Sequence, residues 1–585
     1  VAITENAALR RNDGTVIDLT ASHPADGFSP GSQILALIPE ALAANDLATY
    51  DPAEPERCFT RSVQADNPTV IVEASSGRRI PHIAEFDPRA RSDARRALVL
   101  RPLERLRPGT RHVIGLRLRR PDGTPAPVPE GFRAIRAGAG VPADLAALSE
   151  RYEREVFPLL DAIAPRAEWT LAWDFTTGTD EHLRRTLLAV RDDVIARVRA
   201  RPPAVRVVEV LEDTRPHVAR RVELSIQVPA YVDSAAPGAR LRLGPDGLPR
   251  AEGTVEVPVL VVVPPSALDV TRPQAQLLQF GHGFFGRRGE IHDGFAPVFG
   301  DEHGFVVMCT EWWGMSADDL PTVIGDITER TSEVMRLTDR LHQAMANQIA
   351  LAAARNALAG LPELQRADGS PVFAPHHVAF YGLSLGHILG GTYVALSPDI
   401  DRALLAVGGA NFSFMMFRAR PFDPFLNLVD RVTGDALDHQ IFAALTQLVF
   451  DRVDPLTYAD LVLRRPLPGS PDDRRILMHL GIGDAEVPNV ATELHARELG
   501  LSTVVPSPRP VVGLAETSAE GTRSGLVLFD FGIDPLPGAD AIPPTSANVV
   551  HEGQRELASS MAQASAFLRP GGTITQVCDG PCDPE

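Results

Sequence analysis

From residue 205 onward, short runs of aliphatic and β-branched residues alternate with longer stretches whose apolar positions recur at helical spacing. Eight of these runs are predicted strands: residues 221–228, 255–263, 276–280, 305–309, 377–381, 403–407, 475–480 and 525–531. Helical patterns lie between several of them, notably over residues 328–358. Strands separated by helices predict an α/β fold with a mainly parallel eight-stranded sheet, because parallel neighbours need crossover connections. No repeat is visible at the periods of about 20 to 50 residues that mark solenoids and propellers.

Ahead of this region the pattern differs. Residues 1–138 read as strands, with turn signals at Asn12-Asp13-Gly14 and Pro121-Asp122-Gly123 and alternation over 112–118. Residues 98–115 give a strand, a proline-marked loop and a second strand, the pattern of an immunoglobulin-like sandwich edge. This predicts a β-rich, immunoglobulin-like N-terminal domain over residues 1–140. Helical patterns over 143–162 and 180–199, with a strand at 169–175 between them, make residues 141–204 a connector, and residues 205–585 are the third unit.

Composition narrows the chemistry. The chain has 585 residues, 44% hydrophobic and 23% charged, and no apolar run approaches the length of a bilayer span. There is no lysine, so all 57 basic residues are arginine. Pyridoxal Schiff bases, P-loops of the usual kind and Ser-Lys hydrolases all need a lysine and are excluded. A net charge of −18 repels phosphate backbones, so no nucleic-acid partner is expected. The 51 prolines are scattered among apolar segments and predict rigid loops.

Four cysteines are present, with no Cys/His cluster at zinc spacing, so no metal site is expected. Cys578 and Cys582 bracket Asp579-Gly580-Pro581, a turn that brings them within disulfide reach, whereas the state of Cys58 and Cys309 is left open. A disulfide implies an oxidising compartment. Together with a start at Val1 rather than Met, it leads us to expect an exported protein, extracellular or at the cell surface.

Two segments match G-x-S-x-G. In Gly27-Phe28-Ser29-Pro30-Gly31 the residue after the serine is proline, which has no N–H to give to an oxyanion, so Ser29 is rejected. Gly382-Leu383-Ser384-Leu385-Gly386 follows an apolar strand and precedes a helical pattern over 388–396. Strand, sharp turn and helix are the setting of a nucleophile elbow, so Ser384 is the candidate nucleophile. The bland reading is a glycine-rich turn whose serine caps the helix. Gly281-His282-Gly283-Phe284-Phe285-Gly286 follows the third predicted strand and can offer the Phe284 N–H, with Leu385 N–H, to a tetrahedral oxyanion. His282 is read as a residue that fixes this loop rather than as a base.

With these motifs in hand, residues 205–585 resemble the α/β-hydrolase family: an oxyanion loop, the elbow, then an acid, then a histidine. Gly481-Ile482-Gly483-Asp484-Ala485-Glu486-Val487-Pro488 looks like the family's acid loop, which makes Asp484 the triad acid with Glu486 its nearest rival. His551 is the only histidine after His495 and follows the last predicted strand, which makes it the base. The phrases Asp26-Gly27-Phe28-Ser29-Pro30 and Trp173-Asp174-Phe175-Thr176-Thr177 resemble exported bacterial lipases and esterases with a β-rich N-terminal domain. Members of that group are often lipid-anchored, which implies membrane proximity through an anchor this sequence does not contain.

Residues 408–474 are too long for an ordinary connection and predict a helical cap. Phe412, Phe414, Met415, Met416 and Phe417 at its start are either a pocket wall or the cap's own packing face, and the same two readings apply to Trp312. Phe285 and His387 complete the candidate pocket; His387 departs from the small residue many family members carry after the elbow. The resulting expectation is a serine carboxylic-ester hydrolase, an esterase, lipase or polyesterase that works through an acyl-enzyme and requires no cofactor. The substrate is then a lipid, small or polymeric ester. The rivals are a peptidase or amidase of the same fold, for which no acidic clamp is legible, and a binding protein with a degenerate hydrolase domain.

Overall fold

The computed structural model describes residues 8–584; residues 1–7, Val1 among them, and Glu585 lie outside the described residues. Strands β1 (Ile34–Leu37), β4 (Ala97–Pro102) and β3 (His82–Phe86) form one antiparallel sheet. Strands β2 (Thr69–Glu73), β5 (Arg111–Leu116) and β6 (Leu171–Thr176) form a second. Because β6 comes from the predicted connector, that segment is split between a strand of the N-terminal sheets and the helix Asp180–Ala200. The phrases around Phe28 and Thr177 meet in space: Phe28 N–H donates to Thr176 O and Gly178 N–H donates to Phe28 O.

The remaining strands form one sheet of eleven, not eight. They are β7 (Val205–Glu212), β8 (Arg220–Pro229), β9 (Thr254–Val263), β10 (Ala275–Gly281), β11 (Phe305–Cys309), β12 (Phe373–Leu383), β13 (Arg402–Ala406), β14 (Arg475–Ile482), β15 (Ser502–Val505), β16 (Glu516–Ser518) and β17 (Gly525–Asp530). Their order is β16-β15-β17-β14-β13-β12-β10-β11-β9-β8-β7. Every pair from β16 to β11 is parallel, and β9, β8 and β7 are antiparallel additions at one side. The three unexpected strands, β7, β15 and β16, lie at or next to the two ends of the sheet.

Apolar side chains cover both faces, as a parallel sheet requires. On one face the helices Leu337–Ala353 and Leu385–Leu396 are buried along nearly their whole lengths. On the other, Phe280, Phe299, Tyr381 and Phe567 anchor a second core. Between β13 and β14 the chain forms the helices Phe412–Met416, Asp423–Thr433, Ala436–Phe450 and Pro455–Tyr458, which share the first core.

These helices are fastened to the N-terminal sheets by a buried ionic cluster. Glu85 of β3 accepts from Arg101 Nε of β4 at 3.2 Å and from Arg418 Nη2 at 2.6 Å. Arg101 also lies over the Phe414 and Phe417 rings. Cys578 and Cys582 form a disulfide, and the tail it closes is bridged to β17 through Asp530 N–H and Cys582 O; Cys58 and Cys309 are free and buried.

Candidate active site

At the end of β12 the chain reverses within one residue. Ser384 has φ 55° and ψ −117°, a left-handed conformation that a side chain adopts only under constraint, and the helix Leu385–Leu396 starts directly after it. Its own N–H donates to Ala406 O of β13 at 3.0 Å. The two motif glycines explain why the turn closes: a Cβ on Gly382 would collide with Gly386 O, and one on Gly386 would collide with Gly281 O. The elbow is thereby pressed against the end of β10. Its serine is half-buried while the rest of the motif is buried.

The loop that leaves β10 is held from two sides. His282 Nε2 accepts from Trp312 N–H at 2.8 Å, so its proton sits on Nδ1, which donates to Gly283 O at 2.9 Å. Glu290 Oε2 accepts from Gly283 N–H at 3.0 Å, and a Cβ on Gly286 would collide with the same carboxylate. Phe285 follows with φ 48°. Among the described residues, no acceptor takes the N–H of Phe284 or of Leu385. Two unclaimed donors on adjoining segments, next to a strained serine, can receive a developing oxyanion.

The carboxylate and imidazole come from the last two long strands. Asp484, in the loop after β14, accepts Glu486 N–H at 2.8 Å and Val487 N–H at 3.1 Å on Oδ1, and faces His551 Nδ1 at 2.8 Å through Oδ2. Glu486 points elsewhere and pairs with Arg420. His551 opens the helix Val550–Glu556 and is buried. Ser384 and His551 line one cavity of about 850 Å3, with Phe284 and Phe285 on its wall. An imidazole fixed at Nδ1 by a carboxylate keeps Nε2 for proton transfer.

Further residues, not singled out in the sequence, hold this arrangement. Asn489 bridges the acid loop, accepting Gly483 N–H at 2.9 Å and donating to Gly481 O at 2.8 Å. Asn548 donates to Gly483 O at 2.7 Å. Below His551, Gln554 donates to His479 Nδ1 at 3.0 Å, and His479 Nε2 reaches Gln563 at 2.8 Å. Burial pushes the His479 imidazole down to about 4, so it stays a neutral brace at ordinary pH. An S/T/N/D before a predicted helix is the one signal that could have flagged Asn548.

Four expected pocket residues do not reach the cavity. His387 is fully buried behind the elbow, where its Nδ1 accepts Gly408 N–H at 3.1 Å and its Nε2 meets His495 Nδ1 at 3.0 Å. Burial holds His387 well below the usual imidazole range. Trp312 is likewise fully buried, against Gly281, and Met415 is a core residue. Phe412 lines a separate apolar chamber, with Phe450 stacked on it at 4.3 Å. Phe285 alone of the five lies on the cavity wall.

Numbered along the chain without β7, β15 and β16, the sheet strands run 1-2-4-3-5-6-7-8 in space, with the elbow after the fifth, the donor loop after the third, the carboxylate after the seventh and the imidazole after the eighth. The chain has the α/β-hydrolase fold. No family model matches it, and no curated protein does. Among solved structures the chain is similar to an acetyl xylan esterase from Thermoanaerobacterium sp., at 13% identity over 61% of this chain and 94% of that one, with a TM-score of 0.34. An acetyl xylan esterase from Paenibacillus sp. matches at 13% identity over 60% and 92%, TM-score 0.31, and the acylaminoacyl peptidase of Pyrococcus horikoshii at 9% over 64% and 50%, TM-score 0.30. Among the described residues no group of three or more His, Cys, Asp or Glu is disposed to hold a metal ion.

Proposed function

We propose that the chain is a serine carboxylic-ester hydrolase. The observation that carries this reading is the 2.8 Å contact of Asp484 with Nδ1 of His551, whose ring lines one cavity with Ser384. In this reading Ser384 Oγ attacks the ester carbonyl as His551 Nε2 takes its proton, and the oxyanion is received by Phe284 and Leu385 N–H. The imidazolium then protonates the departing alcohol, leaving an acyl-enzyme, and a water activated by the same imidazole releases the acid. Asp484 keeps the imidazole in the tautomer that bears its proton on Nδ1.

The pairing of His551 with Asp484, in a cavity shared by His551 and Ser384, favours a catalyst over a degenerate binding domain. The disulfide supports export to an oxidising compartment. The test is hydrolysis of p-nitrophenyl esters by the wild type and by Ser384→Ala, together with mass spectrometry after a fluorophosphonate. We expect ester turnover that the substitution abolishes, and one adduct on Ser384. Turnover that survives in Ser384→Ala, or a wild type inert to every ester and to the fluorophosphonate, would overturn the reading.

A further inference from the structure

Behind the cavity lies a second space of a different character. It is a chamber of about 50 Å3 under the helices 412–450, lined mostly by buried side chains, and apart from Thr446 every one of them is apolar. A water needs roughly 10 to 15 Å3 of such space, so the chamber offers a few solvent-sized sites, and apolar voids of this kind stay dry. The cavity that holds Ser384 is larger and polar, rimmed by Arg287, Glu290, Asp293, Glu552 and Arg555 among others.

Two residues belong to both spaces, Phe284 and Phe285. Their rings, 4.7 Å apart, are the partition between the nucleophile's cavity and the chamber. The partition is braced from the cap, where Phe425 stacks on Phe285 at 5.7 Å and Phe422 packs on Phe284 at 5.2 Å. Phe285 holds its place with a positive φ, a strained conformation for a side chain of this size, and such strain persists only where the surroundings enforce it. A partition bearing an oxyanion donor on its backbone and an apolar void behind its rings meets the ester carbonyl at one end of the acyl chain.

We infer that Phe285 sets the acyl length of the substrate by closing this chamber, so that the enzyme takes short acyl groups on polar alcohols. The inference rests on the ester-hydrolase reading. In the closed state a short acyl group ends at the partition, and a longer one must displace two rings and their cap contacts. Removing the Phe285 ring joins the chamber to the cavity. Each methylene that then finds apolar surroundings gains about fourfold in kcat/KM, the equivalent of about 0.8 kcal/mol per buried CH2.

The experiment compares kcat/KM for p-nitrophenyl acetate through decanoate in the wild type, in Phe285→Ala and in Phe425→Leu, with circular dichroism and Tm recorded for each. The second variant loosens the same partition from the cap side and serves if the first does not fold. The expected result is a wild type that favours acetate to butyrate, and variants whose octanoate-to-acetate ratio rises at least tenfold. Folded variants with an unchanged chain-length profile would overturn the inference and reduce the chamber to a packing void, as would a wild type that already takes decanoate as well as acetate. A wild type inert to all esters instead removes the ester-hydrolase reading on which it rests.

Discussion

Asn548 Nδ2 donates to Gly483 O at 2.7 Å, joining the loop before His551 to the loop that carries Asp484. Asn548 also caps the turn into the histidine's helix by accepting Val550 N–H at 3.2 Å. One side chain thus ties the loop ahead of the imidazole to the loop that carries the carboxylate. Asn548→Ala is expected to lower kcat by about 10- to 100-fold with little change in KM, since misplacement near 1 Å costs on that order. Steady-state kinetics on a soluble ester checks it, and an equal loss in KM with kcat intact would contradict it.

Asp484→Asn keeps the shape of the side chain and removes the charge. The amide can donate to Nδ1 and so favours the wrong tautomer, and kcat is expected to fall roughly 10^3- to 10^4-fold. The loss should be partly recovered at high pH. A variant within tenfold of the wild type would show that another acid, Glu486 first, serves His551.

The glycine at 386 is expected to tolerate nothing larger. Gly386→Ala drives a Cβ into the backbone carbonyl of Gly281, and backbone cannot swing aside as a side chain can. The elbow and the donor loop must separate, so the expectation is loss of activity together with a lower Tm. Gly14→Ala offers a contrast, since a Cβ there meets nothing within 4 Å and the cost is only that of its positive φ.

Asp451 should tie stability to pH. Its carboxyl is fully buried, and burial holds it up to about 7 from the ordinary 3.8, with Asp454 pushing the same way and Gln447 and Ser29 opposing. Below about pH 4 the group is protonated in both states and its contribution is fully present. As pH rises towards about 7 the unfolded chain gives up the proton first, so stability falls across that window and levels off above it. Asp451→Asn is expected to flatten the fall and to be more stable than the wild type at about pH 8, on the order of a few kcal/mol. Urea unfolding at about pH 5 and about pH 8 measures it; an unchanged slope would show that the carboxyl is ionised throughout.

The strands that the sequence disclosed are those with strong apolar runs, and all eight are in the sheet. β7 escaped notice because valines alternate with Arg206, Glu209 and Glu212, the text of an exposed edge, and β15 and β16 are only four and three residues long. That β6 leaves the connector to pair with β5 follows from long-range register, which no local pattern encodes. For the candidate site, Ser384, Asp484 and His551 are proposed from loop position after a strand, which is a sequence property. His387 is expected in the pocket but lies behind the elbow, because the helix Leu385–Leu396 is buried all round and its pattern names no inward face. The aromatic partition draws on Phe284, Phe285, Phe422 and Phe425, which only the folded chain brings together.

The Glu85 carboxylate, clasped between Arg101 and Arg418, decides what may be cut from what. Removing the N-terminal strands would leave Arg418 without its carboxylate and the 412–417 turn without the two arginines that cover Phe417. Breaking such a buried pair from one side costs about 3 to 5 kcal/mol, a large part of the stability of most domains. The boundary near residue 205 is therefore a landmark of topology and not a joint. Any truncation, fusion or transplant that carries Ser384 has to carry β3 and β4 with it.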